Sequence, residues 1–279
     1  MVATRLGGRD RAARFGCAVS VLDDIVARKR QEVIRRLRHR RPGVQPATVD
    51  QRAFVLAALR RVHGAAPRAI AEIKFRSPSA GVIRRRDVGA VQRLALAYQQ
   101  AGAAALSVLC DGPGFGGGVL DLRRAARLVR LPVLFKEFVV DPCQVSLARA
   151  VGAHLVLLLA RVLDTTALAA LVAEVRRQGL VPLVEAADGE ELAAALRSGA
   201  DLIGVNARDL RTFSVDGDLA CGLVEQIPSD RVAIYMSGIA TPEDLRRVAN
   251  GRADAVLIGE GLMRAHDPGA RLAELLSGA

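Results

Sequence analysis

From residue 69 onward the chain alternates between short, almost unbroken apolar runs and longer stretches where apolar residues return every third or fourth position. The runs fall at 69–74, 104–109, 132–136, 154–159, 181–185, 201–206, 231–236 and 254–259. Continuous rather than alternating apolarity marks strands covered on both faces, as in parallel sheets. The intervening stretches 88–101, 164–178, 188–198 and 241–249 are rich in Ala, Leu and Arg and read as amphipathic helices. Asp164, Asp188 and Thr241 stand where N-caps belong, and Pro242 takes the first helical position after Thr241.

A small repeat punctuates this alternation. AGAAALS, VGAHLVLL, SGADLIGV and NGRADAVLIG each set a glycine just ahead of a strand. A left-handed residue there ends a helix and turns the chain back toward the sheet. Eight strand–helix units in about 210 residues predict an α/β fold of the (β/α)8 TIM-barrel type. No GxGxxG follows the first strand, which argues against an open dinucleotide-binding sheet. Residues 21–40 and 50–62 read as two further helices. The expected domain is therefore 19–279, with an N-terminal helical extension at 19–65 and the barrel at 69–279. Residues 1–18 carry no pattern and read as a disordered extension.

Composition narrows the function. The longest apolar run, Leu155–Ala160, stops at Arg161 and is too short to span a bilayer. No apolar signal segment follows the basic N-terminus, so a cytoplasmic protein without a membrane partner is expected. Four scattered cysteines without a C-x-x-C pair predict neither a metal site nor a disulfide framework, only small buried side chains. The net charge of +11 raises the question of nucleic acid. Arginines are spread along most of the chain, however, and two Tyr with no Trp leave few platforms for stacking bases. No nucleic-acid partner is expected; the positive field suits a small anionic substrate.

Only three of the 40 basic residues are lysine: Lys29, Lys74 and Lys136. Arginine stays protonated, whereas a buried lysine can give up and regain its proton. Lys74 and Lys136 each end an apolar run, AIAEIK and PVLFK. Lys29 lies in a charged helical stretch and reads as solvated.

Barrel chemistry gathers at the C-terminal strand ends. The first strand ends Glu72-Ile73-Lys74 and leads into Ser77; the third ends at Lys136, the fifth at Glu185, the sixth at Asn206 with Arg208 beyond. Glu72 and Lys74, two residues apart in an extended strand, share a face. Charges ending apolar runs must pair with each other or with substrate. Ser237-Gly238 and Gly259-Glu260-Gly261 follow the last two strands, where a short helix opening at residue 260 would form this fold's recurrent phosphate site.

With these residues in view, the chain resembles the indole-3-glycerol phosphate synthase family over residues 21–279. The resemblance rests on AEIKFRSPSAGVI, LSVLCDGPGFGGG, PVLFKEFVVDPCQV, VPLVEA, ADLIGVNARDLRTF, MSGIATPEDL and ADAVLIGEGLMR. It implies closure of a phosphorylated aminoketose onto an aromatic ring, with loss of carbon dioxide and water and no metal or organic cofactor. By resemblance Lys136 and Lys74 are the catalytic lysines, and Glu185 and Glu72 the general base and supporting carboxylate. Asn206, Ser237 and Arg208 would make polar contacts. Ser77, Gly238, Gly259 and Glu260 would bind phosphate, and Phe115, Phe138 and Leu158 would wall the ring. A monomer or weak homodimer is expected. One departure is marked: Met236 stands where the family usually has Glu before Ser-Gly-Ile. Lesser ones are Ala80, Gly118 and Cys143. A diverged paralogue with impaired rate or altered substrate, and a non-catalytic phosphosugar-binding barrel, are the alternatives.

Overall fold

The computed structural model describes residues 21–36, 51–209 and 211–278; the expected extension at 1–18 lies outside them. Eight parallel strands close into a barrel. They are β1 (Arg68–Ile73), β2 (Ala105–Leu109), β3 (Val133–Lys136), β4 (Leu155–Leu159), β5 (Val181–Ala186), β6 (Leu202–Asn206), β7 (Val232–Met236) and β8 (Ala255–Ile258). Each pairs with its sequence neighbour, and β1 closes the ring against β8 with Arg68 opposite Ala255 and Ala71 opposite Ile258. The strands sit within a residue or two of the apolar runs, and the helical stretches begin at their expected caps. Asp164, Asp188 and Thr241 each accept a backbone amide at a helix start, and Thr241 forms a capping box with Asp244.

Alternation along the strands sorts the apolar residues into two clusters. Val108, Phe135, Val156, Leu158, Val184 and Ile203 face the surrounding helices, whereas Ile70, Leu134, Leu157, Leu183, Ile234 and Leu257 fill the barrel. A fully buried Leu or Ile contributes about 1.5–3 kcal/mol, so this double-sided burial holds the ring closed.

The two extension helices close opposite ends. The helix α2 (Gln51–Leu59) buries Val55 and Leu59 with the interior cluster and contacts β1 and β5. The helix α1 (Val21–Arg36) adds Leu22 and Ile25 to the group that includes Phe138 and Leu159. Gly102, Gly152 and Gly199 of the repeat take positive φ as expected, at 91°, 92° and 73°. Gly251 does not; the constraint there is crowding, since a Cβ would stand 2.6 Å from Glu225 Oε1. Among the described cysteines only Cys110 is fully buried, so Cys143 and Cys221 depart from the expectation. No helix among the described residues is long and apolar enough to cross a membrane.

Candidate active site

The C-terminal ends of β1, β3, β5 and β6 bring five expected side chains together: Glu72, Lys74, Lys136, Glu185 and Asn206. Lys136 Nζ lies 2.9 Å from Glu185 Oε2, and Asn206 Nδ2 donates to Glu185 Oε1 at 2.8 Å. Both oxygens of Glu185 are thereby held. Across the cavity Lys74 Nζ lies 3.2 Å from Glu72 Oε1. Ser107 Oγ, fully buried on β2, donates to Glu72 Oε2 at 3.1 Å. Burial alone would raise the Glu72 carboxyl, but the Lys74 and Lys136 ammonium groups and the Ser107 hydrogen bond outweigh it and hold it below the usual carboxylate range. The lysines keep 16% and 15% exposure, enough to reach a guest.

One cavity contains these pairs. Phe115 and Phe138 wall one side with ring centroids 6.0 Å apart, and Ser77, Arg208, Met236 and Ser237 also border it. Leu158 does not. The alternation of β4 sends it outward into the helix layer, and Leu157 and Leu159 face the cavity instead. The correction is one of phase along an all-apolar strand.

An adjoining cavity lies over β7 and β8, bordered by Lys74, Arg208, Ser237, Gly238, Gly259 and Glu260. Ser237 and Gly238 take φ of 70° and 75°, two consecutive left-handed residues. Such a turn costs a non-glycine residue strain and recurs at functional sites. Glu260 opens the short helix Glu260–Met263, with Arg264 at 2.8 Å and Arg208 at 3.8 Å from its carboxylate. Gly259 has a second role: a Cβ there would meet Glu72 Oε1.

Met236 is 1% exposed at the end of β7, opposite Asn206. Its sulfur fills the space above Gly204, where a Cβ would stand 2.5 Å from it. The thioether therefore belongs to the packed barrel floor, and each lysine of the cavity retains its own carboxylate.

Three features were not anticipated. Ser107 holds Glu72. Phe213, with φ 61°, borders the main cavity and accepts a hydrogen bond on its carbonyl from Arg208. Lys29 is not solvated: it is 4% exposed and pairs with Glu137 and Asp111. Among the described residues no cluster of three or more His, Cys, Asp or Glu side chains is disposed to hold a metal.

Comparison with known proteins gives a consistent result. The family model for indole-3-glycerol phosphate synthase matches residues 22–275. The chain is 39% identical over 259 residues to the indole-3-glycerol phosphate synthase of Polaromonas sp. (strain JS666), covering 91% of this chain and 97% of that one. To the synthase of Dechloromonas aromatica (strain RCB) it is 41% identical over 261 residues, covering 92% and 99%. Among solved structures, a mutant tryptophan synthase alpha-subunit from Pyrococcus furiosus matches with a TM-score of 0.59 at 14% identity, covering 76% of this chain and 99% of that one. An N-acetylmannosamine-6-phosphate 2-epimerase from Clostridium perfringens matches at 0.56 and 18%, covering 74% and 89%. At such identities the structural matches speak for the barrel alone.

Proposed function

The chain belongs to the indole-3-glycerol phosphate synthase family, and from that premise we propose that the two lysine–carboxylate pairs carry out the ring closure as a carboxy-lyase. The substrate of this reading is 1-(2-carboxyphenylamino)-1-deoxyribulose 5-phosphate; the products are indole-3-glycerol phosphate, carbon dioxide and water.

The chemistry asks for what the cavity offers. The ring carbon bearing the carboxylate attacks the sugar ketone, whose oxygen takes a proton as the new carbon–carbon bond forms. The carboxylate leaves as carbon dioxide and its electron pair restores the aromatic ring. The former ketone oxygen then departs as water, and a proton is removed from the neighbouring carbon. Two proton donations and one abstraction are needed.

Lys74 and Lys136 are the donors of this scheme, and Glu185, oriented by Lys136 and Asn206, is the acceptor. A positioned acid or base typically contributes about 10²–10⁴-fold. Glu72 holds Lys74 in place. The ring lies against Phe115, Phe138, Leu157 and Leu159. The phosphate occupies the adjoining cavity, toward Gly238, Gly259 and the N-terminal end of the residue 260 helix, with Ser77 and Arg208 at its approach.

The observation that carries the reading is that both amines, each beside its own carboxylate, border one cavity with an aromatic wall. Purified protein mixed with the carboxyphenylamino substrate should produce the fluorescence of indole-3-glycerol phosphate. Absence of turnover would overturn the assignment.

A further inference from the structure

Lys29, the lysine with no part in the reaction, is the most enclosed of the three. Its ammonium lies 3.0 Å from Glu137 Oε2, 3.2 Å from Asp111 Oδ1 and 2.9 Å from Glu32 Oε2. Two of these carboxylates stand in loops that supply the cavity. Glu137 directly follows Lys136, and its other oxygen accepts the amide of Phe138 at 2.8 Å. Asp111 accepts the amide of Gly114 at 2.6 Å and so caps the turn Gly112–Phe115 that carries Phe115. One side chain on α1 thus reaches the backbone supports of both aromatic rings.

We propose that Lys29 is a positioning residue: through Glu137 and Asp111 its ammonium fixes the separation of Phe138 and Phe115, and with it the seat of the substrate's aromatic ring. This rests on the ring-closure reading above. Lysine suits the place because a compact ammonium directs three N–H donors at three separate carboxylates, whereas a guanidinium presents a flat fork. Burial by itself would favour loss of the Lys29 proton, but Glu137, Glu32 and Asp111 outweigh it and keep the group charged. Asp111 is fully buried and Glu137 nearly so, and Lys29 pairs with both. Among the described residues Arg28 pairs with Asp111 alone, at 3.4 Å, and leaves the Glu137 arm untouched.

The test uses the full chain with Lys29→Met and with the double variant Lys29→Met/Glu137→Gln. Four quantities are read: Tm, amide exchange at Gly114 and Phe138, binding of anthranilate by its own fluorescence, and kcat with KM. A ring seat displaced by a fraction of an ångström should raise KM and weaken anthranilate about tenfold in Lys29→Met. Inhibition by inorganic phosphate should stay unchanged, and both amides should exchange faster. The double variant, which no longer buries an unpaired Glu137, should regain Tm but not the ring affinity. Recovery of KM and anthranilate binding along with Tm, or wild-type values in Lys29→Met, would reduce Lys29 to a structural residue. An inactive wild-type chain would instead sink the ring-closure reading. Faster exchange at the two amides would still report on the Lys29 arms in that case.

Discussion

The carboxylate of Glu72 occupies the space in which any side chain on Gly259 would have to begin, 2.5 Å from the Cβ position. Gly259 has φ −122°, outside the left-handed region, and the crowding at its Cβ position demands glycine. Gly259→Ala should swing Glu72 away from Lys74 and Ser107 and lower kcat about 10–10²-fold, with far-UV circular dichroism unchanged. Wild-type turnover in this variant would show that the contact is not needed.

Lys136→Arg keeps the positive charge beside Glu185 but replaces a group that can exchange protons with one that does not. Turnover should fall by about 10²-fold or more. Activity close to wild type would remove proton transfer by Lys136 from the mechanism.

Leu157 and Leu158 are consecutive and both buried, yet they face opposite sides of β4. Either Leu→Ala change should cost about 2–5 kcal/mol by opening a cavity. Only Leu157→Ala should also raise KM, measured at a temperature where both variants are folded. Equal KM values would remove Leu157 from the ring pocket.

Met236→Glu buries a carboxylate on a floor where both lysines are already paired. The variant should lose Tm without gaining kcat, because an unmatched buried charge is costly. Met236→Leu should keep most turnover. A several-fold rise in kcat for Met236→Glu would show instead that this cavity lacks a proton acceptor.

Burial pushes the Glu137 carboxyl up to about 7, against the pull of Lys29 and the Phe138 amide. The folded chain therefore retains a proton there that an unfolded chain releases near 4.5. The stability this adds is complete below about pH 4.5 and is lost as pH rises through about 7. Tm of Glu137→Gln should lack that component of the decline. Parallel Tm–pH curves for the variant and the wild type would show that Glu137 does not titrate in this range.

Much of this was legible in the sequence because period-2 alternation and apolar runs report burial directly. Glu72 and Lys74 interrupt an apolar strand two residues apart, so their common face followed from spacing. LVLLL carries no polar residue to mark its phase, so nothing in the strand itself checks the wall position that the resemblance implies at Leu158, which faces outward. Ser107 gave no signal, being a small residue whose importance comes from standing opposite Glu72 on the adjacent strand. Lys29 looked solvated because its helix is charged all along, and the carboxylate that buries it lies 108 residues away. Gly259 read as a phosphate-loop glycine; its contact with Glu72 exists only because the first strand meets the last.

Lys74 beside Glu72 and Lys136 beside Glu185 leave the charges at the barrel mouth matched two by two. On the proposed reading, a guest competes with a resident carboxylate for each amine, through its own anions and oxygens. A small carbonyl compound without phosphate and ring carboxylate has nothing to trade. On that reading, discrimination against such compounds follows from the pairing itself.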